Sequence, residues 1–142
     1  MALPNGLDEI VARYGNPFPM AAMPAEWEKR YIVNTTVPPG LLTYLGHPIL
    51  GMRINKVIQN PLRDALVSMV RAQLGPIAFG RAYEWEVVGD ELGVHSWGIA
   101  IHLGVPGVGP VEQVAAILVG NGWAWSDTDK THFQLATGYW VE

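Results

Sequence analysis

The chain has 142 residues, of which 49% are hydrophobic, so it can bury one core and we expect a single domain over residues 1–142. Nine Lys and Arg residues stand against thirteen Asp and Glu, and the net charge of -4 argues against nucleic acid as a partner. Cysteine is absent. This excludes disulfides, thiolate nucleophiles and Cys-type zinc sites, and leaves any metal to His, Asp and Glu.

The sequence contains no recognisable targeting or membrane-spanning segment. Residues 1–10, MALPNGLDEI, have neither a basic region nor an apolar stretch, so we expect no signal peptide and synthesis in the cytoplasm. No window approaches the roughly eighteen apolar residues of a membrane span, so we expect no membrane partner.

The first half of the chain predicts a short helix, two strands and a longer helix. Asn5 should cap the first helix and Gly15 should end it. A strand over 31–37 and a half-buried strand over 50–54 follow. Pro61 begins the second helix, whose apolar residues repeat every 3.6 positions: Leu62, Ala65, Leu66, Met69, Val70 and Leu74.

The second half predicts three strands and one helix. The strands are expected over 82–88, over 97–103 and near His132, and the middle one should be central because it is apolar on both faces. The glycine-containing segment 104–109 lacks a phosphate-binding pattern and reads as a plain loop before a helix that Pro110 opens. Most of the six tryptophans should lie in the core.

Three of the four histidines form a candidate metal site. His95 and His102 lie seven residues apart, and such residues on an ideal strand point to opposite faces. A break at Gly98, or a strand that starts only after Trp97, would bring them together. His132 follows Asp129 by three positions, and three imidazoles with an open position make a catalytic zinc site. The alternative is a set of unrelated structural histidines, which is how we interpret His47.

These stretches resemble a known family, the zinc peptidases that include D-Ala-D-Ala carboxypeptidases and phage L-Ala-D-Glu endolysins and share their fold with the hedgehog signalling domain. The family pattern is Ser-x-His-x-x-Gly-x-Ala-x-Asp, a helix, and an acidic residue three before a final His. "VHSWGIAIH" supplies His95, Gly98 and Ala100, and "DKTHF" supplies Asp129 and His132. The helix "NPLRDALVSMV" and "GWAW" also resemble the endolysin branch, so the resemblance extends from about residue 30 onward.

The departures from the pattern fall on functional positions. His102 stands where the family has its Asp ligand, and Gly93 stands where it has Ser. The family's Tyr-x-x-Arg, whose Arg contacts the substrate oxyanion, is represented by Tyr83 with Glu86 at the Arg position; Arg81 could substitute as the cation. Losing an anionic ligand and a nearby cation together would leave the local charge nearly unchanged.

The resemblance implies an α+β fold, hedgehog/D-Ala-D-Ala peptidase-like, with a central antiparallel sheet that carries the site on one face and helices on the other. His95, His102 and His132 would hold one Zn²⁺, and Asp129 would take a proton from the attacking water and deliver it to the leaving amine. The implied substrate is a peptidoglycan stem peptide, reached after release of the protein on lysis. The alternative is a catalytically inactive metal-binding or structural module on the same fold.

The exchange of Asp for His at position 102 also predicts a coordinating atom. An Asp oxygen and the imidazole Nδ1 both lie one atom beyond Cγ, whereas Nε2 lies about 2 Å farther out, which is large against the roughly 0.2 Å tolerance of zinc distances. We therefore expect His102 to bind through Nδ1. Its Nε2 would then donate to an acceptor on the neighbouring strand, for which Glu86 is the candidate.

Overall fold

A computed structural model describes residues 2–142 as an α+β chain. The α-helices are α1 (Leu7–Tyr14), α2 (Ala25–Tyr31), α3 (Gln59–Arg71) and α4 (Glu112–Gly120). The strands are β1 (Ile32–Thr36), β2 (Leu42–Tyr44), β3 (His47–Ile49), β4 (Gly51–Asn55), β5 (Ile77–Ala78), β6 (Val87–Val88), β7 (Glu91–Leu92), β8 (Ala100–His102), β9 (Ala124–Trp125) and β10 (His132–Gln134). Two 3-10 turns, Lys56–Ile58 and Val94–Trp97, complete the regular structure.

The strand β8 is an edge strand of the three-stranded sheet β8-β10-β9, which carries His102 and His132. On one side it pairs antiparallel with β10, which in turn pairs with β9. On the other side Gly80 N donates to His102 O and His102 N donates to Arg81 O, each at 2.9 Å. The chain at 78–81 therefore joins β8 to the sheet β3-β2-β5, in which β5 runs parallel to β2. Residues 2–142 thus contain four small sheets in place of the one central antiparallel sheet expected from the sequence, and β8 has backbone partners on both sides although it ends its own sheet.

The buried face of α3 follows the predicted spacing in part, because Val70 is exposed and Leu74 lies beyond the end of the helix at Arg71. In α3 the buried residues are Leu62, Ala65, Leu66 and Met69, and this helix packs against α4. Of the tryptophans, Trp27, Trp97 and Trp123 are buried, whereas Trp125 and Trp140 are partly exposed. Within residues 2–142, the helices are all too short or too polar to cross a membrane.

Two boundary predictions near the site are wrong. Residues 82–86 are not a strand, because their backbone bonds to two different elements: Tyr83 N donates to Arg53 O and Glu84 N to His95 O. Within 82–88, the short strand β6 pairs with β7. The strand expected from residue 97 begins at Ala100, because residues 94–97 form the 3-10 turn that Gly98 ends.

The predicted cap of the first helix is also wrong. Gly6 occupies the N-cap position of α1 and makes no side-chain bond there. Asn5 lies one residue too early; its side-chain oxygen instead accepts from Thr137 Oγ1 at 3.2 Å. The Asn5 side chain therefore contacts Thr137, which is distant in the chain, and does not cap α1.

Gly98 makes the break between the 3-10 turn and β8, and its replacement should be costly. Its φ is +72°, and an added Cβ would lie 2.7 Å from the backbone nitrogen of Asn55. We expect Gly98→Ala to lower the free energy of unfolding by about 2–3 kcal/mol, because left-handed backbone costs an L-residue about 1–2 kcal/mol and overpacking about 1 or more.

Denaturant unfolding of Gly98→Ala beside Gly120→Ala measures this effect. A Cβ on Gly120 would meet nothing within 4 Å, and this residue lies in α4. The control substitution should leave stability unchanged or raise it by up to about 1 kcal/mol. Equal stabilities of the two variants would contradict the role given to Gly98.

Candidate metal centre

The structure brings His95, His102 and His132 together. One nitrogen from each ring lies within 4.8 Å of the others, a spacing that could hold a metal ion. The His95 ring centroid is 4.7 Å from that of His102 and 5.2 Å from that of His132. His102 and His132 are direct partners in the β8–β10 register. His95 joins them from the 3-10 turn because the left-handed Gly98 interrupts the strand, as the spacing required.

His95 offers an unprotonated nitrogen with no other partner. Its Nδ1 lies 2.8 Å from the carbonyl oxygen of Ala82, which can only accept, so Nδ1 carries the proton. Its Nε2 is buried and has no hydrogen-bond partner among residues 2–142. Burying such an atom without a partner costs free energy, and a metal ion is a partner that a neutral imidazole nitrogen can take.

Gln134 fixes the ring of His132. The Gln134 amide nitrogen donates to the carbonyl oxygens of Ala136 at 3.0 Å and Tyr139 at 2.9 Å, so its Oε1 is free to accept. His132 Nε2 lies 2.7 Å from that oxygen and therefore donates to it. The unprotonated atom of His132 is thus Nδ1, which faces the other two rings. A hydrogen bond to the opposite nitrogen is the usual way in which a metal-binding imidazole is oriented.

His102 turns Nε2 toward His132, whereas the sequence predicts that its Nδ1 binds the metal. Nε2 of His102 lies 3.0 Å from Nδ1 of His132. The prediction kept the metal at the distance that an Asp side chain would reach. In this structure His132 turns Nδ1, the nitrogen closer to its backbone, toward His102. His102 turns Nε2, the nitrogen farther from its backbone, toward His132.

Glu86 does not accept from His102, which corrects a second prediction. The Glu86 carboxylate lies 2.6 Å from the Arg81 guanidinium, and Arg81 also bonds Glu84 at 2.9 Å. Gly93 leaves the space for this carboxylate, because a Cβ at that position would collide with the Glu86 side chain. The glycine at position 93 and the position of the Glu86 side chain therefore depend on each other.

Arg81 stands close enough to the site to act on it electrostatically, whereas Tyr83 does not reach the imidazoles. The charge of Arg81 contributes to lowering the pKa of each of the three histidines. Tyr83 donates from its hydroxyl to Glu28 at 2.6 Å, and its ring faces the guanidinium of Arg53. Of the two residues named beside Glu86, the structure thus brings only Arg81 to the site.

Two carboxyl groups border the imidazoles. Asp129 Oδ1 accepts from Thr131 N and Thr131 Oγ1, and its Oδ2 lies 3.8 Å from His102 Nε2. Glu142, which the sequence did not single out, lies closer, with Oε2 2.6 Å from His132 Nδ1 and Oε1 3.4 Å from His102 Nε2.

The two carboxyl groups differ in charge. Burial would raise the pKa of Asp129, but hydrogen bonds from Thr131 and Glu142 outweigh it and lower that pKa to about 2. Burial and the neighbouring Asp129 raise the pKa of Glu142 to about 7. Asp129 is the ionised member of the pair at neutral pH, and this is the state that a general base needs.

Burial also sets the charge of the imidazoles. It lowers the pKa of His95 to about 2 and that of His102 to about 4, and it lowers the pKa of His132 as well. All three rings are therefore neutral at pH 7. Neutral imidazole is the form that binds a metal, and an ion would replace the hydrogen bond that joins His102 Nε2 and His132 Nδ1 in this structure.

The same pKa changes predict acid sensitivity of the metal-free protein. Below about pH 6.5 the unfolded chain binds protons on these three imidazoles that the folded protein does not bind, so the free energy of unfolding should fall as the pH falls toward 4. Glu142 binds a proton in the folded state below about pH 7 and acts in the opposite direction, but it is one group against three. Urea midpoints at pH 7.5 and pH 5 test this, and equal midpoints would contradict it.

Clefts open on two sides of His102. One of about 550 Å³ is bordered by Tyr44, Phe79 and Arg81, and the other, of about 580 Å³, by Pro106, Asp129 and Lys130. His102 borders both. His95 and His132 border neither cleft and are fully buried, so His102 is the imidazole of the cluster that the clefts reach.

Comparisons with protein-family models, with curated proteins and with solved structures give no match to this chain. The function must therefore be argued from the geometry of the site.

Proposed function

We propose that the protein is a zinc-dependent peptidase that hydrolyses peptidoglycan stem peptides, as an L-Ala-D-Glu endopeptidase or a D-Ala-D-Ala carboxypeptidase does. The observation that carries the proposal is the convergence of three neutral imidazoles, of which His95 Nε2 is buried without another partner among the described residues. The donor set suits zinc, which prefers imidazole nitrogen and accepts three His ligands in catalytic sites.

Each residue of the site has a role in this proposal. Zinc held by His95, His102 and His132 would supply a Lewis acid that polarises a peptide carbonyl and acidifies an attacking water. Asp129 accepts the proton of that water and passes it to the leaving amine, since its carboxylate is ionised and borders the same cleft as His102. The two clefts beside His102 hold the peptide on either side of the cleaved bond.

The substrate class rests on the sequence resemblance. His95, Gly98, Ala100, Asp129 and His132 match the pattern of the peptidoglycan peptidases, and the structure gives the matched histidines one meeting point. The hedgehog-like form of the α+β fold and release to the cell wall on lysis are parts of the same proposal.

A closed, non-catalytic metal site is the second candidate, and two contacts favour it. Glu142 occupies the open side of the imidazole cluster. Arg81, the only cation that could take the place of the family's Arg, is bound to the carboxylates of Glu84 and Glu86. Losing a donor that stabilises the transition state typically costs about 10²- to 10³-fold in rate, so a module with this site could retain the metal and lack useful activity.

Two measurements on the purified protein test the proposal. Elemental analysis after purification without chelator, followed by titration with zinc, should give one ion per chain. Incubation with peptidoglycan fragments and mass analysis of the products should show cleavage of a stem peptide, which a chelator abolishes and zinc restores. An ion without cleavage would select the second candidate, and no ion under either condition would refute both.

A further inference from the structure

The segment 139–142 is held against the imidazole cluster by contacts on both sides. Tyr139 donates from its hydroxyl to Leu92 O at 2.6 Å, and its own carbonyl accepts from Gln134 Nε2 at 2.9 Å. Val94 N donates to Val141 O at 2.6 Å. These bonds attach the segment to the residue beside His95 and to the residue that orients His132. They place the next side chain, Glu142, at the cluster.

The carboxylate of Glu142 faces the nitrogens that point to the meeting place of the rings. It lies 2.6 Å from His132 Nδ1 and 3.4 Å from His102 Nε2, and those two nitrogens lie 3.0 Å apart. Two ligands about 2.1 Å from one zinc ion at tetrahedral angles lie about 3.4 Å from each other. Among these three atoms the closest pair, Glu142 Oε2 and His132 Nδ1, would have to separate by about 0.8 Å to share an ion, and the other two distances are within about 0.4 Å of that spacing.

Asp129 is less suited to be this ligand. Its Oδ1 already accepts two hydrogen bonds from Thr131, and its Oδ2 lies 3.8 Å from His102 Nε2, farther than the oxygen of Glu142. Asp129 and Glu142 therefore lie in different places relative to the imidazoles. Asp129 borders the cleft, while Glu142 reaches the inner side of the cluster.

We propose that Glu142 is the fourth protein ligand of the metal centre and that the segment 139–142 closes the site by keeping it in place. The inference rests on the proposed metal site and adds its regulation. A zinc site with four protein ligands is closed to substrate, whereas a catalytic site keeps one position open. Displacement of 139–142 would remove the Glu142 ligand and open that position.

Cobalt-loaded protein tests this without a substrate, because the visible absorption of Co²⁺ reports its ligands. We compare the full chain with Glu142→Ala and with Glu112→Ala, which removes an exposed carboxylate in α4. Glu142→Ala should weaken Co²⁺ binding by about 10- to 100-fold, at least as much as losing a residue that only orients a ligand. Azide should change the spectrum of Glu142→Ala and leave the other two proteins unaffected, since only the variant has an open position.

The outcomes separate the two proposals. Equal Co²⁺ affinity of the full chain and Glu142→Ala, with azide binding to both, would overturn the fourth-ligand assignment and leave the metal site standing. Failure of the full chain to take up Co²⁺ or zinc would refute the metal site itself. Circular dichroism of each protein checks that the substitution leaves the fold intact.

Discussion

Replacement of His95 by glutamine is expected to weaken zinc binding by about 10²- to 10³-fold, the share of one ligand in the roughly 10–16 kcal/mol of a four-ligand structural zinc site. The ring of His95 is buried, and its Nε2 has no partner other than an ion within the described part of the chain. Glutamine can still donate a hydrogen bond to Ala82 O, which should preserve the local fold.

The matched control for this variant is His47→Gln. His47 is exposed in β3 and takes no part in the cluster. Competition titration against a chromophoric chelator gives the zinc Kd of both variants and of the unchanged protein. A His95→Gln protein that binds zinc as tightly as His47→Gln would remove His95 from the ligand set.

Asp129→Asn is the second substitution with a large expected effect, a loss of about 10²- to 10⁴-fold in the rate of peptide hydrolysis with little change in zinc content. The Asn side-chain oxygen can still accept from Thr131 N and Thr131 Oγ1, so the turn before β10 should keep its shape. The amide lacks the ionised oxygen that faces His102, and it cannot accept a proton from the attacking water.

Asp127→Asn provides the comparison, because Asp127 is exposed two residues before Asp129. Initial rates of stem-peptide cleavage and zinc content are measured for both variants. Unchanged turnover in Asp129→Asn would exclude Asp129 as the base. Loss of zinc along with turnover would instead assign to Asp129 a role in holding the site together.

The predictions from sequence were most accurate where one periodicity dominates. The 3.6-residue repeat of α3 identified its buried residues Leu62, Ala65, Leu66 and Met69, and the apolar run in the strand predicted over 97–103 indicated a buried segment. The sequence predicts one strand over residues 82–88, yet the backbone hydrogen bonds of 82–86 go to separate elements and only Val87 and Val88 pair as a strand. A local pattern carries no information about which distant backbone will supply a partner.

The histidines of the site could be found from sequence, but the atoms that they present could not. His95 and His102 required a break in the strand, and Gly98 provides it. The ring orientation of His132 depends on Gln134, whose side chain lies on the same face of β10 two residues later, a signal that strand periodicity could have supplied. Glu142 carries no such signal, because its place depends on the hydrogen bonds of 139–141 to other segments.

The three imidazoles come from a 3-10 turn and two strands, and His102 and His132 are separated by 30 positions in the chain. No pair of them lies on one turn of helix, so the unfolded chain offers an ion no preformed pair of ligands. The ion would have little affinity for the unfolded state, and nearly all of its binding free energy would stabilise the folded state, about 2.7 kcal/mol at a concentration 100 times Kd. A metal bound at this site would therefore report on the pairing of β8 with β10, because the nitrogens of His102 and His132 come together only in that pair.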